Sequence, residues 1–240
     1  WTATNQHQIK PEDGLPPWEA FMPVLFVSAG VWDDYARQCR QTLRRAAEQS
    51  KAVQLWTNDI LNGVPARIDQ VRTIRDTVAR RIRHAGPGFG DLPFSAVTPA
   101  DTVLEDGYGN TTDVALLLYA MLEEAGLRPR FVLGSTIPRV KEVEQTVLGY
   151  PSATLFDSVL VAVDISGLGR VYLNDTDQYA ALGATPHDDR LGLELHSRKP
   201  ARIQAAGSRS DLVETEYVLD LEPNGAAHVS RTTTYYGGQY

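Results

Sequence analysis

The sequence predicts an α+β fold in which N-terminal helices pack on an antiparallel β-sheet. Through the first half of the chain, apolar residues recur at steps of three and four, which is typical of amphipathic helices. After Gly126 the apolar residues alternate or form short runs, which indicates strands. Two turn motifs between such runs, Gly167-Leu168-Gly169 and Asn224-Gly225, indicate antiparallel hairpins.

Five segments are predicted to be helical. The first carries an apolar stripe that includes Tyr35, Cys39 and Leu43, so we expect Cys39 to be a buried core side chain. The last is the most apolar, and Gly126 after it is a natural helix stop. The predicted segments are 32–46, 51–61, 68–82, 101–105 and 112–125.

The strand patterns fall into two groups. Strands are predicted at 130–134, 156–163 and 171–173, and the last two are expected to pair through the glycine-rich turn. A break at 205–210 precedes an alternating pattern. We therefore divide the chain into an extended N-terminal approach (1–31), a main domain (32–205) and the start of a further β-rich domain (211–240).

Length and composition limit the classes of protein. With 240 residues and 42% apolar residues, the chain can bury a sizeable core. No apolar run approaches the ~18 residues of a membrane-spanning helix. The single cysteine, Cys39, excludes an internal disulfide and a multi-cysteine zinc site. The net charge of -7 argues against a general nucleic-acid binder. The chain starts at Trp1 and ends in a strand pattern, so we interpret it as a segment of a longer polypeptide.

Positive charge is concentrated in the predicted helices. Residues 35–83 contain 11 Arg or Lys against 4 Asp or Glu. Solvated outer faces of amphipathic helices explain this pattern, and an anion-binding face is the alternative. The loop His187-Asp188-Asp189 could ligate a metal, as could Asp157, Asp175 and Asp177 if they converge. Surface loops rich in Asp are common, however, so no metal and no cofactor is expected.

Three short motifs, in order along the chain, resemble those of bacterial transglutaminase-like proteins, which have a papain-like fold. The stretch 108–113, followed by the Leu-rich helix, resembles the nucleophile motif, in which a Cys opens the helix. The stretch 156–159 resembles the motif that carries the general-base His. The stretch 173–177 resembles the motif whose Asp orients that His. The resemblance covers residues 20–205 and implies the same fold for them.

The family's three catalytic positions are all replaced in this chain. By the resemblance, Thr111 stands at the Cys position, Ser158 at the His position and Asn174 at the Asp position. A Thr hydroxyl is a poor nucleophile without a base, and Ser does not titrate near neutrality. Thr111 has an alternative role as the cap of the helix. We expect the three residues to converge in space without forming a working triad.

The resemblance therefore predicts a non-catalytic domain, a pseudoenzyme that acts in binding or scaffolding within a larger, bacterial, multidomain protein. Expected partners are an unidentified protein or peptide and flanking domains of the same chain, not nucleic acid. The resemblance alone implies a periplasmic or secreted location. The alternatives are a cysteine-free acyl transferase or peptidase with a non-standard nucleophile, and a purely structural module. Residues expected to line the ancestral groove are Tyr108, Asn110, Asp113, Asp157 and Asp175.

Overall fold

The computed structural model describes most of the chain and confirms the α+β prediction. In the described residues, five α-helices precede a five-stranded antiparallel sheet, and a sixth helix lies between two strands of that sheet. The described residues are 13–23, 25, 27–28, 30–48, 50–91, 93, 96–135, 137–173, 182–183, 185–204 and 212–236.

The five predicted helices are all present, with ends within about two residues of the predicted ones. They are α1 (Trp32–Ala46), α2 (Lys51–Ile60), α3 (Arg67–Arg81), α4 (Ala100–Asp106) and α5 (Thr111–Glu124). A sixth helix, α6 (Lys141–Leu148), was not predicted. None of the helices in the described part of the chain is both long and apolar enough to cross a bilayer.

Helix α5 lies at the centre of the domain. Every residue from Thr112 to Leu122 is buried, because apolar side chains surround the helix on all sides. The helix packs against α1, α2, α3 and α4 on one side and against the sheet on the other. Its first turn is consequently fixed between the two layers of the fold.

The sheet places its strands in the order β5-β4-β3-β6-β7. These strands are β3 (Arg130–Ser135), β4 (Phe156–Ile165), β5 (Gly169–Leu173), β6 (Leu191–Glu194) and β7 (Lys199–Arg202), and all pairs are antiparallel. The predicted hairpin is confirmed, with Val161 opposite Leu173 and Ile165 opposite Gly169. Strands β6 and β7 were not predicted. A short parallel pair, β1 (Arg83–His84) and β2 (Tyr108–Gly109), precedes α5.

The two faces of the sheet have different neighbours. The inner face packs on the helices and includes Leu133, Val159, Val161, Val163 and Leu193. The outer face carries a smaller apolar cluster formed by Val132, Leu160, Ala162, Tyr172 and Ile203. Successive residues of a strand point to opposite faces, so position along β3 and β4 determines which layer a side chain meets.

The C-terminal segment forms the predicted hairpin at Asn224-Gly225. Strands β8 (Leu212–Leu221) and β9 (Ala227–Tyr236) pair in register, from Leu212 opposite Tyr236 to Leu221 opposite Ala227. Gly225 has a φ of 85°, which the turn requires and which glycine adopts without strain. The division of the chain into three regions stays a prediction.

Candidate functional site

The first turn of α5 is held by a reciprocal pair of hydrogen bonds. The Oδ1 atom of Asn110 accepts a hydrogen bond from the Asp113 backbone N–H at 3.0 Å. The Oδ2 atom of Asp113 accepts one from the Asn110 backbone N–H at 3.1 Å. Asn110 is therefore the N-cap, and the expectation that Thr111 caps the helix is wrong by one residue. Thr111 is instead the first residue of the helix and is partly buried.

Asn110 and Asp113, which form this cap, are two of the predicted groove residues. Asp113 also accepts a hydrogen bond from the Thr98 backbone N–H at 2.9 Å, and both Asn110 and Asp113 are buried. Their polar atoms are thereby used to join the helix start to the preceding loop. Among the described members of the predicted groove, Tyr108 and Asp157 are the exposed ones.

The start of β4 contains an irregularity at the predicted base position. Ser158 pairs with Gly134, whereas the next residue of β3, Ser135, pairs with Phe156, so Asp157 is the extra residue of a β-bulge. Ser158 precedes Val159, which faces the helices, and it is two residues before Leu160 on the outer face. The alternation along β4 therefore directs the Ser158 side chain towards the outer face.

A loop separates the helix start from the start of β4. A Cβ atom added at Gly86 would lie 3.6 Å from Cβ of Asn110, and one added at Gly90 would lie 3.3 Å from the Phe156 carbonyl oxygen. The loop from Gly86 to Gly90 thus contacts both segments. These contacts are with Asn110, which precedes Thr111, and with Phe156, which lies two residues before Ser158.

The remaining predicted positions lie outside the described residues. Asn174, at the family's Asp position, and Asp175, a predicted groove residue, belong to the part of the chain of which the structure describes nothing. Convergence of Thr111, Ser158 and Asn174 therefore stays a prediction.

His187 was not predicted as part of this site. Its Nε2 atom lies 3.8 Å from Oδ1 of Asp157, and the side chain is almost fully buried. A Cβ atom at Gly134 would lie only 2.7 Å from the His187 ring, so the imidazole packs directly on the backbone of β3. Since Gly134 is paired with Ser158, the imidazole lies beside the predicted base position. The one sequence signal of this approach of His187 to the backbone was Gly134, because a glycine inside a strand often marks a close contact with the backbone.

The surroundings of His187 favour its neutral form. Burial lowers the pKa of His187, and the nearby Arg190 lowers it further. Asp157, the backbone of Ser135 and Asp188 act in the opposite direction and raise it. Within the described residues, Nδ1 of His187 and Oγ of Ser135 are buried without a hydrogen-bond partner. The same part of the chain holds no group of three His, Cys, Asp or Glu side chains that would bind a metal ion.

The apolar neighbours of β4 occupy its inner side. The ring of Phe156 meets Trp32 edge-on at 5.7 Å between centroids and stacks on Tyr35 at 6.1 Å. The indole nitrogen of Trp32 donates a hydrogen bond to the Leu148 carbonyl oxygen at 2.9 Å. The beginning of α1 is thereby attached to the strand that carries Asp157 and Ser158.

The comparisons with known proteins agree with this architecture. A family model described as the transglutaminase-like superfamily matches residues 54–159. The crystal structure of a "putative protease" from Parabacteroides distasonis is similar in fold, with a TM-score of 0.52 and 18% sequence identity. That similarity covers 70% of this chain and 31% of the other. No curated protein matches the chain. Residues 54–159 therefore match the model of the transglutaminase-like superfamily, and the described helices and sheet have a transglutaminase-like fold.

Proposed function

We propose that this domain is a pseudoenzyme, which acts by binding or scaffolding rather than by acyl transfer. One observation carries the proposal. Thr111 and Ser158, at the positions where the family has its Cys and His, supply neither a thiolate nor a base. Both positions fall within the residues that the family model matches.

The geometry of the described residues adds support. Thr111 opens a helix on the inner side of the sheet, whereas Ser158 is directed to the outer face. A nucleophile and its base need to be within hydrogen-bond reach, about 2.6–3.2 Å, for proton transfer. Apart from distance, proton transfer also needs a group that accepts a proton. Neither the Thr111 hydroxyl nor the Ser158 hydroxyl does so near neutral pH.

A direct assay tests the proposal. The full chain is incubated with a protein substrate and a fluorescent amine, and separately with a quenched peptide substrate. We expect neither amine incorporation nor peptide hydrolysis above the buffer control. Turnover that disappears in Thr111→Ala would contradict the proposal, because it would identify the Thr111 hydroxyl as a working nucleophile.

The second candidate is a cysteine-free acyl transferase or peptidase, and the His187–Asp157 contact favours it. A His beside a carboxylate is the base and its orienting partner in hydroxyl-dependent acyl transfer. His187 would take the proton of a hydroxyl that attacks the acyl carbon, and would return it to the leaving amine. Turnover that survives Thr111→Ala but disappears in His187→Gln would support this candidate over the first.

The wider setting of the domain is also a proposal. Resemblance to exported bacterial proteins suggests a periplasmic or secreted location, with an unidentified protein or peptide as partner. The exposed hairpin β8–β9 supports a further β-rich domain over 211–240, flanking the main domain at 32–205. An isolated two-stranded hairpin is marginally stable in water, so such a hairpin gains stability when another sheet covers it.

A further inference from the structure

A cavity of about 380 Å³ opens at the C-terminal end of α5. It lies between α1, α5, the segment that leads into β3 and the turn that follows β6. Thr111 is at the opposite end of the helix, roughly 18 Å away along its axis from Glu123. The cavity is therefore separate from the positions discussed above.

Positive charge dominates the walls of the cavity. Arg40, Arg44, Arg128 and Arg130 line it, and Glu123 is the one acidic side chain among the described residues that line it. Two of these arginines have carboxylate partners. Arg44 lies 3.2 Å from Glu123, and Arg130 lies 3.0 Å from Asp164 and 3.2 Å from Glu194.

The other two arginines have no carboxylate partner in the described part of the chain. Neither Arg40 nor Arg128 forms an ion pair or a side-chain hydrogen bond with any described residue. Helix α5 does not need Arg128 to satisfy its last carbonyl groups, because Arg67 Nη1 donates to the Ala125 carbonyl oxygen at 2.6 Å. Within the described structure, two guanidinium groups thus line the same cavity without a carboxylate paired to either of them.

The base of the cavity is apolar. The rings of Tyr119 and Phe131 stack with centroids 4.1 Å apart and an angle of 14° between their planes, and Leu127 and Leu195 lie beside them. Burial raises the pKa of Tyr119, so its hydroxyl stays protonated and can donate a hydrogen bond.

We propose that this cavity binds a small organic phosphate, whose dianionic group is held by Arg40 and Arg128 and whose apolar body rests on Tyr119 and Phe131. Guanidinium groups bind phosphate oxygens through paired hydrogen bonds. A phosphate monoester has three terminal oxygens and nearly two charges, which match two free guanidinium groups. A carboxylate has one charge and two oxygens, which a single arginine satisfies.

Calorimetric titration of the full chain with phenyl phosphate at low ionic strength tests the proposal. We expect saturable binding that weakens about tenfold or more in each of Arg40→Gln and Arg128→Gln, since each loses a charge-assisted interaction. Arg72→Gln is the matched control, because Arg72 pairs with Asp69 on α3 and does not line the cavity. It should leave the affinity unchanged. Glu123→Gln should tighten binding, because it removes the acidic lining group and frees Arg44.

Three results would overturn the proposed phosphate site, and a fourth would overturn its apolar part. The first is the absence of saturable binding of phenyl phosphate. The second is an equal affinity in Arg40→Gln, Arg128→Gln and Arg72→Gln, with thermal unfolding confirming that all three are folded. The third is binding of benzoate as tight as that of phenyl phosphate, which would show that the dianionic group is not recognised. Inorganic phosphate should bind more weakly than phenyl phosphate, because it lacks the apolar body, and equal affinity would remove Tyr119 and Phe131 from the site.

Discussion

His187 Nε2 lies 3.8 Å from Asp157 Oδ1, which brings an imidazole of the loop before β6 to the bulge that begins β4. The imidazole also packs on the backbone of Gly134. The contact therefore joins three segments that are distant in sequence. The contact should affect the stability of the fold and the dependence of that stability on pH, whether or not the domain is catalytic.

His187→Gln should flatten the dependence of stability on pH. Burial lowers the pKa of His187 in the folded state, whereas the unfolded chain has a pKa of about 6.5 at this position. Below about pH 6.5 the unfolded state binds more protons than the folded state, so the wild type loses stability as the pH falls towards the folded pKa. The groups that face the imidazole are Asp157, Asp188 and Arg190.

Urea unfolding at a series of pH values between about 7.5 and 5 measures this effect. The control is His228→Gln, because the His228 side chain is 80% exposed on β9. The control should keep the slope of the wild type. Identical slopes for His187→Gln and the wild type would show that His187 does not contribute to acid sensitivity.

Asn110→Ala should destabilise the domain by about 1 kcal/mol, because it removes the cap of α5. Thr111→Ala is the matched control at the next position, and it should change the free energy of unfolding by no more than about 0.5 kcal/mol. Thermal or urea unfolding of both variants measures the difference. A larger effect of Thr111→Ala would mean that Thr111, rather than Asn110, stabilises the helix start.

Cys39 should react slowly with thiol reagents in the folded protein. The side chain is fully buried on α1, and burial raises its pKa to about 12, so almost no thiolate is present near neutrality. Absorbance-monitored labelling in buffer and in denaturant provides the comparison. Rapid stoichiometric labelling without denaturant would contradict the observed packing.

Removal of residues 211–240 should leave a cooperatively folded domain. In the described structure β8 and β9 pair with each other, and their side chains are largely exposed, including Tyr217, Leu219, Leu221 and Val229. The core clusters contain none of these residues. A chain ending at Ser210 should therefore show one sharp thermal transition. A broad, non-cooperative transition would place the hairpin within the main folding unit.

The parts of the fold that were predictable have strong local patterns. Helix α1 has an apolar stripe, and α5 is a Leu-rich run that Gly126 ends. The turns at Gly167–Gly169 and Asn224-Gly225 identify two hairpins locally. Helix α6 was missed because its eight residues bury only Val143, Glu144 and Val147. Strands β6 and β7 have four residues each and include Gly192 and Pro200, which weaken a strand pattern.

The candidate site was less predictable because its geometry depends on distant segments. Asn110, Thr111 and Thr112 are all residue types found at helix starts, so the sequence did not distinguish the cap from its neighbour. The bulge at Asp157 arises from pairing with β3 and has no local signature. The position of His187 depends on the path of the loop before β6, which a pattern within that loop does not specify.

Because α5 is buried on every side, its burial limits where the chain could be cut to give a shorter folded fragment. The family match, over 54–159, begins inside α2 and ends inside β4. A fragment with those ends would lack α1 and β5 and would expose surfaces of the shared core. The family model therefore matches a shorter stretch of the chain than the stretch that contributes to the shared core. Amide protons of Leu116 and Leu117 at the centre of α5 should exchange with solvent only when both layers open at once.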